Sequence, residues 1–277
     1  MSRRATLAIA VPAILVPAAL FGLLEPARIP TPAAVRTGSV AHPSPAYSRL
    51  LARHVRDGTI EGISVRVVDY ASIPDDPDYQ LALTELADAR PETMDREARL
   101  AYWINAYNLL AIRLVAERYP VASILEVGSE HENVWSMEAG TAAGRAVSLS
   151  WIEDMLRRGF GEPRIHFALV AASVSCPDLR PYDAAGLDAQ LDEAARAFLA
   201  NERRGARVTG DRVEVSNLLH AFHEDFEAVG GVVAFLRAYA PPSVAERLEG
   251  VRLHDLGKLP YDWSLNDLAR TSVARQN

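Results

Sequence analysis

The chain has 277 residues, of which 49% are hydrophobic and 23% charged, with a net charge of −7. That apolar content excludes a disordered tail protein and fits one large globular domain or two small ones. Residues 1–41 carry Arg3, Arg4, Arg28 and Arg36 against Glu25, a surplus of +3 that leaves −10 on residues 42–277. So acidic a body lacks the basic footprint that duplex nucleic acid or an anionic membrane surface requires, and no nucleic-acid partner is expected. One cysteine, Cys176, excludes an internal disulfide and a Cys-based zinc site.

Ala5 to Leu24 is an uncharged, largely apolar run behind Arg3 and Arg4. As a helix, at about 1.5 Å per residue, such a run spans roughly 30 Å, the thickness of a bilayer hydrocarbon core. Residues 1–24 therefore read as a signal peptide or an uncleaved membrane anchor. Either places the body outside the cytoplasm, in the periplasm or its equivalent. Membrane contact is expected through residues 5–24 alone. Residues 25–45, with proline at 26, 30, 32, 43 and 45, read as an extended linker.

The globular domain, residues 46–277, is expected to be α+β, a mostly helical body packed on a small mixed sheet. Residues 46–57 have a helical pattern, and Ile63 to Val68 reads as a strand. Residues 95–119 form the strongest helix, stopped by Pro120. The stretch 128–146 reads as a loop. Ser150 to Glu153 fits a capping box opening a helix to about Arg158. Ile165 to Ala172 is a continuous apolar run, predicted as a central strand buried on both faces. Residues 186–201 are predicted as an amphipathic helix, and 206–215 as a hairpin turning at Gly210-Asp211. Helices follow at 216–226 and 230–239, and the chain is extended and turn-rich from Val251 onward.

Four residues could carry chemistry. Cys176 precedes Pro177, and proline favours the first position of a helix. A helix N-cap there would lower the thiol pKa and make Cys176 a nucleophile. His166 is the candidate base. Ten residues of extended chain would hold the pair roughly 33 Å apart, and a dyad needs about 3 Å, so the chain must reverse between Ala171 and Ser175. Glu153 or Asn105 would orient the base. Each has a purely structural alternative: an inert core thiol, a satisfied core histidine, the third residue of a capping box, and an amide pinning a loop. Trp103, Asn108, Arg164 and Ser175 are the candidate ligand-binding residues. His220 and His223 share a helix face but lack an obvious third metal ligand. No phosphate loop, dinucleotide fingerprint or Gly-x-Ser-x-Gly elbow occurs, so no metal or cofactor is expected.

Tyr102 to Asn108, Pro163 to Leu169, Ser175-Cys176-Pro177, Asp225-Phe226 and Tyr261 to Asn266 together resemble domain of unknown function 547 (DUF547), over roughly residues 90–266. By that resemblance Asn105, Asn108, Arg164, His166, Cys176 and Pro177 occupy motif positions. It implies exported bacterial proteins, or plant proteins in which a coiled coil precedes the domain; this chain has no such heptad segment. Two departures stand out. Ala171-Ala172 lies where the family often has a cysteine, which puts a two-cysteine redox mechanism in doubt. Ile152-Glu153-Asp154 lies where the family tends to have histidine after the glutamate.

These readings lead to a cysteine-dependent hydrolase or acyltransferase acting on an amide or peptide-like envelope substrate, with backbone N–H groups near Cys176 as its oxyanion site. Two alternatives stay open: a non-catalytic module for a small carboxylated or thiol ligand, and an envelope interaction protein in which these residues only stabilise the fold.

Overall fold

The computed structural model describes residues 44–129 and 132–271. The apolar run at 5–24, and the Pro-rich stretch except for its last two residues, lie outside the described residues. Among the described residues, no helix is long and apolar enough to cross a membrane.

The chain opens with helix α1 (Pro45–His54), capped by Ser44, whose side chain accepts from Tyr47 N–H at 3.1 Å. The helix expected to reach residue 57 stops at His54. Val55 instead starts strand β1 (Val55–Ile60), which pairs antiparallel with β2 (Ile63–Val68). Glu61 and Gly62 turn this hairpin with φ of +49° and +79°, positive at both central positions as a type I′ turn requires.

Helix α2 (Pro77–Asp88) is capped by Asp76 and tied to α1 by charge. Arg53 grips Asp76 through two bonds of 2.7 Å, His54 Nε2 lies 2.8 Å from the same carboxylate, and Arg49 bonds Asp78. Hydrogen bonds from Arg53 hold Asp76 well below the carboxylate range, and those from Arg49 bring Asp78 to about 2. A depressed carboxylate contributes stability that is complete above the unfolded value of about 3.9 and is lost as pH falls through the folded value. The urea midpoint is therefore expected to drop between pH 4 and pH 2, and Asp76→Asn to flatten that slope.

Helix α3 (Arg96–Ala116) is capped by Asp95 and matches the expected long helix. Of its 21 residues, 17 are buried, so it is enclosed nearly all round. Short strands β3 (Gly140–Ala142) and β4 (Arg145–Val147) occupy the end of the expected loop, and turn at Ala143-Gly144, both with positive φ. Helix α4 (Leu149–Phe160) starts earlier than its predicted capping box. Its cap is Ser148, which accepts from Trp151 N–H at 3.1 Å, so Glu153 lies within the helix and not at its third position.

The apolar run at 165–172 is not a strand. Pro163 to Phe167 forms a 3-10 turn, with Glu162 accepting from Arg164 N–H, and the chain beyond is irregular. It stays buried without a strand partner because side chains supply the bonds that a ladder would have made.

Helix α5 (Leu187–Leu199) precedes the predicted hairpin, β5 (Ala206–Thr209) and β6 (Arg212–Val215), with Gly210 at φ +59°. The single helix expected over 216–226 divides into α6 (Asn217–Ala221) and a 3-10 segment, His223–Val229. Helices α7 (Gly231–Tyr239) and α8 (Pro242–Ala245) follow, and β7 (Gly257–Lys258) runs parallel to β6. The architecture is a helical α+β body, but among the described residues its strands form three separate small sheets and not one.

One apolar core gathers α1 to α4 around α3; a second packs Phe167 against Phe198, Phe226 and Phe235. The C-terminal segment then lies along the Cys176 turn. Val174 N–H bonds Ser264 O at 2.9 Å, and Asn266 N–H bonds Ala172 O at 3.1 Å.

Candidate functional site

Asn105 and Asn108 stand one turn apart on α3, and each holds a backbone segment with both ends of its amide. Asn108 donates to Ala168 O at 2.9 Å and accepts from Val170 N–H at 2.8 Å. Asn105 donates to Tyr182 O at 2.7 Å and accepts from Tyr182 N–H at 3.0 Å. The two amides thus clamp the chain before and after Cys176. Asn105 orients no base: its donor and acceptor are both engaged by backbone, as the loop-pinning alternative requires.

Between the clamps the chain reverses, which the small residues there permit. Ala172 takes φ +55°, and Ala171 N–H reaches back to Cys176 Sγ at 3.2 Å. Ser173 Oγ lies 3.1 Å from Sγ and 3.1 Å from Tyr261 Oη, which is itself 3.4 Å from Sγ. A thiolate in this triangle would accept from both hydroxyls and the amide. Burial, and next the charge at Cys176, push the Tyr261 phenol well above its ordinary range. Cys176 is only 3% exposed.

No helix follows Cys176, so the N-cap expectation and its dipole argument fail; residues 177–183 are irregular. The expected backbone oxyanion site is also not free. The N–H groups of Val174, Ser175 and Cys176 bond Ser264 O, Asp262 O and Ser173 O.

His166 Nε2 lies 2.7 Å from Asp225 Oδ2, and its ring stacks on Phe222 at 4.3 Å. Arg157 grips the same carboxylate at 2.6 and 3.1 Å. Burial lowers the His166 pKa, with the bond to Asp225 opposing. Burial opposes the Asp225 charge, but bonds from His166 and Arg157 outweigh it and hold the carboxyl below its usual range. The structure thus pairs His166 with Asp225, and no hydrogen bond joins His166 to Cys176.

Glu153 is half-buried on α4 and makes no hydrogen bond among the described residues. Burial raises its pKa to about 7, with Arg157 opposing and Asp154 and Asp225 adding to the rise. Burial first, then the nearby Glu153 and Cys176, push the Tyr107 phenol of α3 well above its ordinary range.

The other expected ligand-binding residues are engaged within the fold. Arg164 bonds Glu162, Asp188 and Asp192 at 2.7, 2.8 and 2.5 Å. Trp103 packs edge-on against Tyr102 and Trp151 at 4.9 and 5.5 Å. Ser175 Oγ accepts from Asp262 N–H at 2.8 Å. His223 Nδ1 lies 3.1 Å from His220 O. Among the described residues, no three His, Cys, Asp or Glu side chains group to hold a metal.

Residues 91–199 match the family model described as "Protein of unknown function, DUF547". Over that segment the chain is similar to DUF547. No curated protein and no solved structure matches the chain. The DUF547 match is shorter than the resemblance traced through the sequence. It spans α3, α4, His166, Cys176 and α5, and ends before Asp225 and Tyr261. Those two residues, with Tyr107 and Ser173, are what sequence reasoning missed as parts of the site. Asp225 and Tyr261 stood in motifs of the DUF547 resemblance, which was the available signal, but nothing local assigned them partners.

Proposed function

We propose that this protein is a cysteine-dependent acyl-transfer enzyme, a hydrolase or acyltransferase, acting on an amide or peptide-like substrate outside the cytoplasm. The observation that carries the reading is the cradle at Cys176 Sγ, where Ala171 N–H and the Ser173 and Tyr261 hydroxyls converge at 3.1–3.4 Å. An inert core thiol needs no such donors. The same hydroxyls, in place of backbone N–H groups, are available to a developing oxyanion. The apolar run behind Arg3 and Arg4 supports the location.

In this reading Sγ attacks the substrate carbonyl carbon. The C–S bond forms, the C–N bond breaks, and the thiol proton passes to Glu153 and on to the leaving amine. Water or an acceptor amine then displaces the sulfur and returns its proton. Glu153 replaces His166 as the base, because its carboxyl makes no hydrogen bond among the described residues and is poised near neutrality. His166, Asp225 and Arg157 set the field around it.

The test is the pH dependence of Cys176 alkylation by iodoacetamide in the full chain. Glu153 is protonated below about 7 and able to accept a proton above it. The rate is expected to step up through that pH. Glu153→Gln should remove the step. A thiol that reacts only after unfolding would falsify the proposal.

A second reading, a non-catalytic module for a small ligand, is favoured by one observation. An open cleft of about 760 Å³, lined in part by Gly58, Ser64, Arg66, Asp178, Asn201 and Arg204, backs onto the turn. Arg204 there bonds both Cys176 O and Asp178. A ligand that shifts the melting temperature through Arg204 while Cys176 stays inert would select this reading.

A further inference from the structure

The open cleft beside the Cys176 turn combines fixed walls with charges that the fold leaves unpaired. Its volume, about 760 Å³, falls within the range of roughly 300–1,000 Å³ usual for small-ligand sites. One wall is the β1–β2 hairpin, and the other is the chain that leaves α5. Asn201 Nδ2 of the second wall donates to Ser64 O of the first at 3.0 Å. Asp178 ties them again: its Oδ1 accepts from Arg66 N–H at 3.2 Å and from Arg204 Nη2 at 2.6 Å. A ligand entering the cleft would not have to order these walls first, which removes one cost of binding.

The charged lining consists of Arg66, Arg203 and Arg204 against Asp57, Asp178 and Glu202. These side chains differ in depth. Arg204 is 2% exposed and Arg66 32%, whereas Asp57 is 99% exposed. Asp178 offsets Arg204, so the inner part of the cleft keeps a positive charge and Asp57 stands at its rim. Arg66 and Arg204 each retain a buried Nε–H with no acceptor, and buried donors are rarely left so. The carboxylate of Asp57 is 3.7 Å from Arg66 Nε and lies in solvent, where such a pair is weak. Arg203 makes no ion pair among the described residues. A Cβ on Gly62 would lie 4.0 Å from Arg203 Nη1, so this guanidinium faces the hairpin turn from the opposite wall.

This charge pattern selects a ligand class. A guanidinium offers a planar fork of N–H donors that a carboxylate fills with two parallel bonds. A dianion such as phosphate meets as many carboxylates as arginines in this lining and gains no net field. A zwitterion with its carboxylate inward and its ammonium at the rim meets opposite charge at both ends. The volume leaves room for more than one amino-acid residue between those ends.

We infer that this cleft binds a short peptide with free ends, its C-terminal carboxylate among Arg66, Arg203 and Arg204 and its terminal ammonium against Asp57. The inference rests on the cleft of the second reading, needs no chemistry at Cys176, and names the ligand class.

The experiment is titration calorimetry on the full chain with diglycine, triglycine and tetraglycine, which differ in the separation of their ends and carry no side chains. At least one is expected to bind saturably. Amidating the carboxylate of the best binder should weaken it about ten- to hundred-fold, the range for a lost bond to a charged group. Acetylating its amine should weaken it about two- to five-fold, as for an exposed pair, and Asp57→Asn should erase the difference between free and acetylated peptide. Arg203→Ala should weaken the free peptide about ten-fold, and Arg203→Lys should restore part of that loss. Arg203 and Asp57 are both exposed, so neither variant endangers the fold. Three outcomes overturn the inference: no saturable binding by any of the peptides, peptide binding unchanged in Arg203→Ala, or inorganic phosphate binding as tightly as the best peptide. Phosphate binding that Arg203→Ala abolishes would sink the peptide assignment and leave the cleft, and with it the second reading, as the site of a different anion.

Discussion

Asn108→Ala is expected to destabilise the protein by about 2–4 kcal/mol, because each buried backbone group left without a partner costs about 1–3 kcal/mol. Asn108 is fully buried, and its amide is the partner of both Ala168 O and Val170 N–H. Asn105→Ala should cost a comparable amount through the two Tyr182 backbone groups. Urea unfolding checks both, with the midpoint moving while the slope stays that of the unaltered chain. The loss is local in origin. Between them the two amides hold the segment that presents Cys176, so Asn108→Ala should also raise amide exchange at Val170 and Ala171 ahead of global unfolding. A variant within about 0.5 kcal/mol of the parent, the usual range for a neutral surface change, would mean that the C-terminal segment alone holds the turn.

Glu153→Gln is expected to act in the opposite direction. The Glu153 carboxyl rises from 4.5 to about 7 in the folded protein. The folded state therefore binds more protons than the unfolded chain between those values, and stability falls with pH across that window and stays reduced above it. At about 1.4 kcal/mol per pKa unit the full loss is about 3.5 kcal/mol, and partial solvent access brings it nearer 2 kcal/mol. The glutamine variant escapes this cost. It should be about 2 kcal/mol more stable than the parent at pH 8 and equal to it at pH 4, read from denaturant midpoints at the two pH values. A residue that weakens the fold where it sits is the pattern expected when a site is kept for chemistry. Equal stability at pH 8 would show that Glu153 is solvated like any surface carboxylate, and would remove the base from the proposed mechanism.

How far the site was legible differs from residue to residue. Long-helix α3 and the β5–β6 hairpin follow from apolar spacing and a glycine in the turn, signals only a few residues wide. The small residues at 171–175 permit the reversal before Cys176 but do not by themselves require it. The apolar run at 165–172 misled because continuous hydrophobicity reports burial and not backbone geometry; Asn108 satisfies that segment where strand neighbours would have. Likewise, Ser148 and Ser150 are both plausible caps, and only packing of α4 against α3 selects the first.

The sequence by itself determined the mostly helical α+β body, the acidic surface and the single thiol, because each depends on composition or on contacts within a few residues. The tertiary structure alone decided what those groups touch. Tyr261 reaches Cys176 across 85 residues, Asn108 reaches Val170 across 62, and Asp225 reaches His166 across 59. Loop-closure entropy grows only slowly with such separations, so many distant partners are nearly equivalent in cost. The choice among them is made by how α3, α4 and the C-terminal segment pack, which no local pattern encodes.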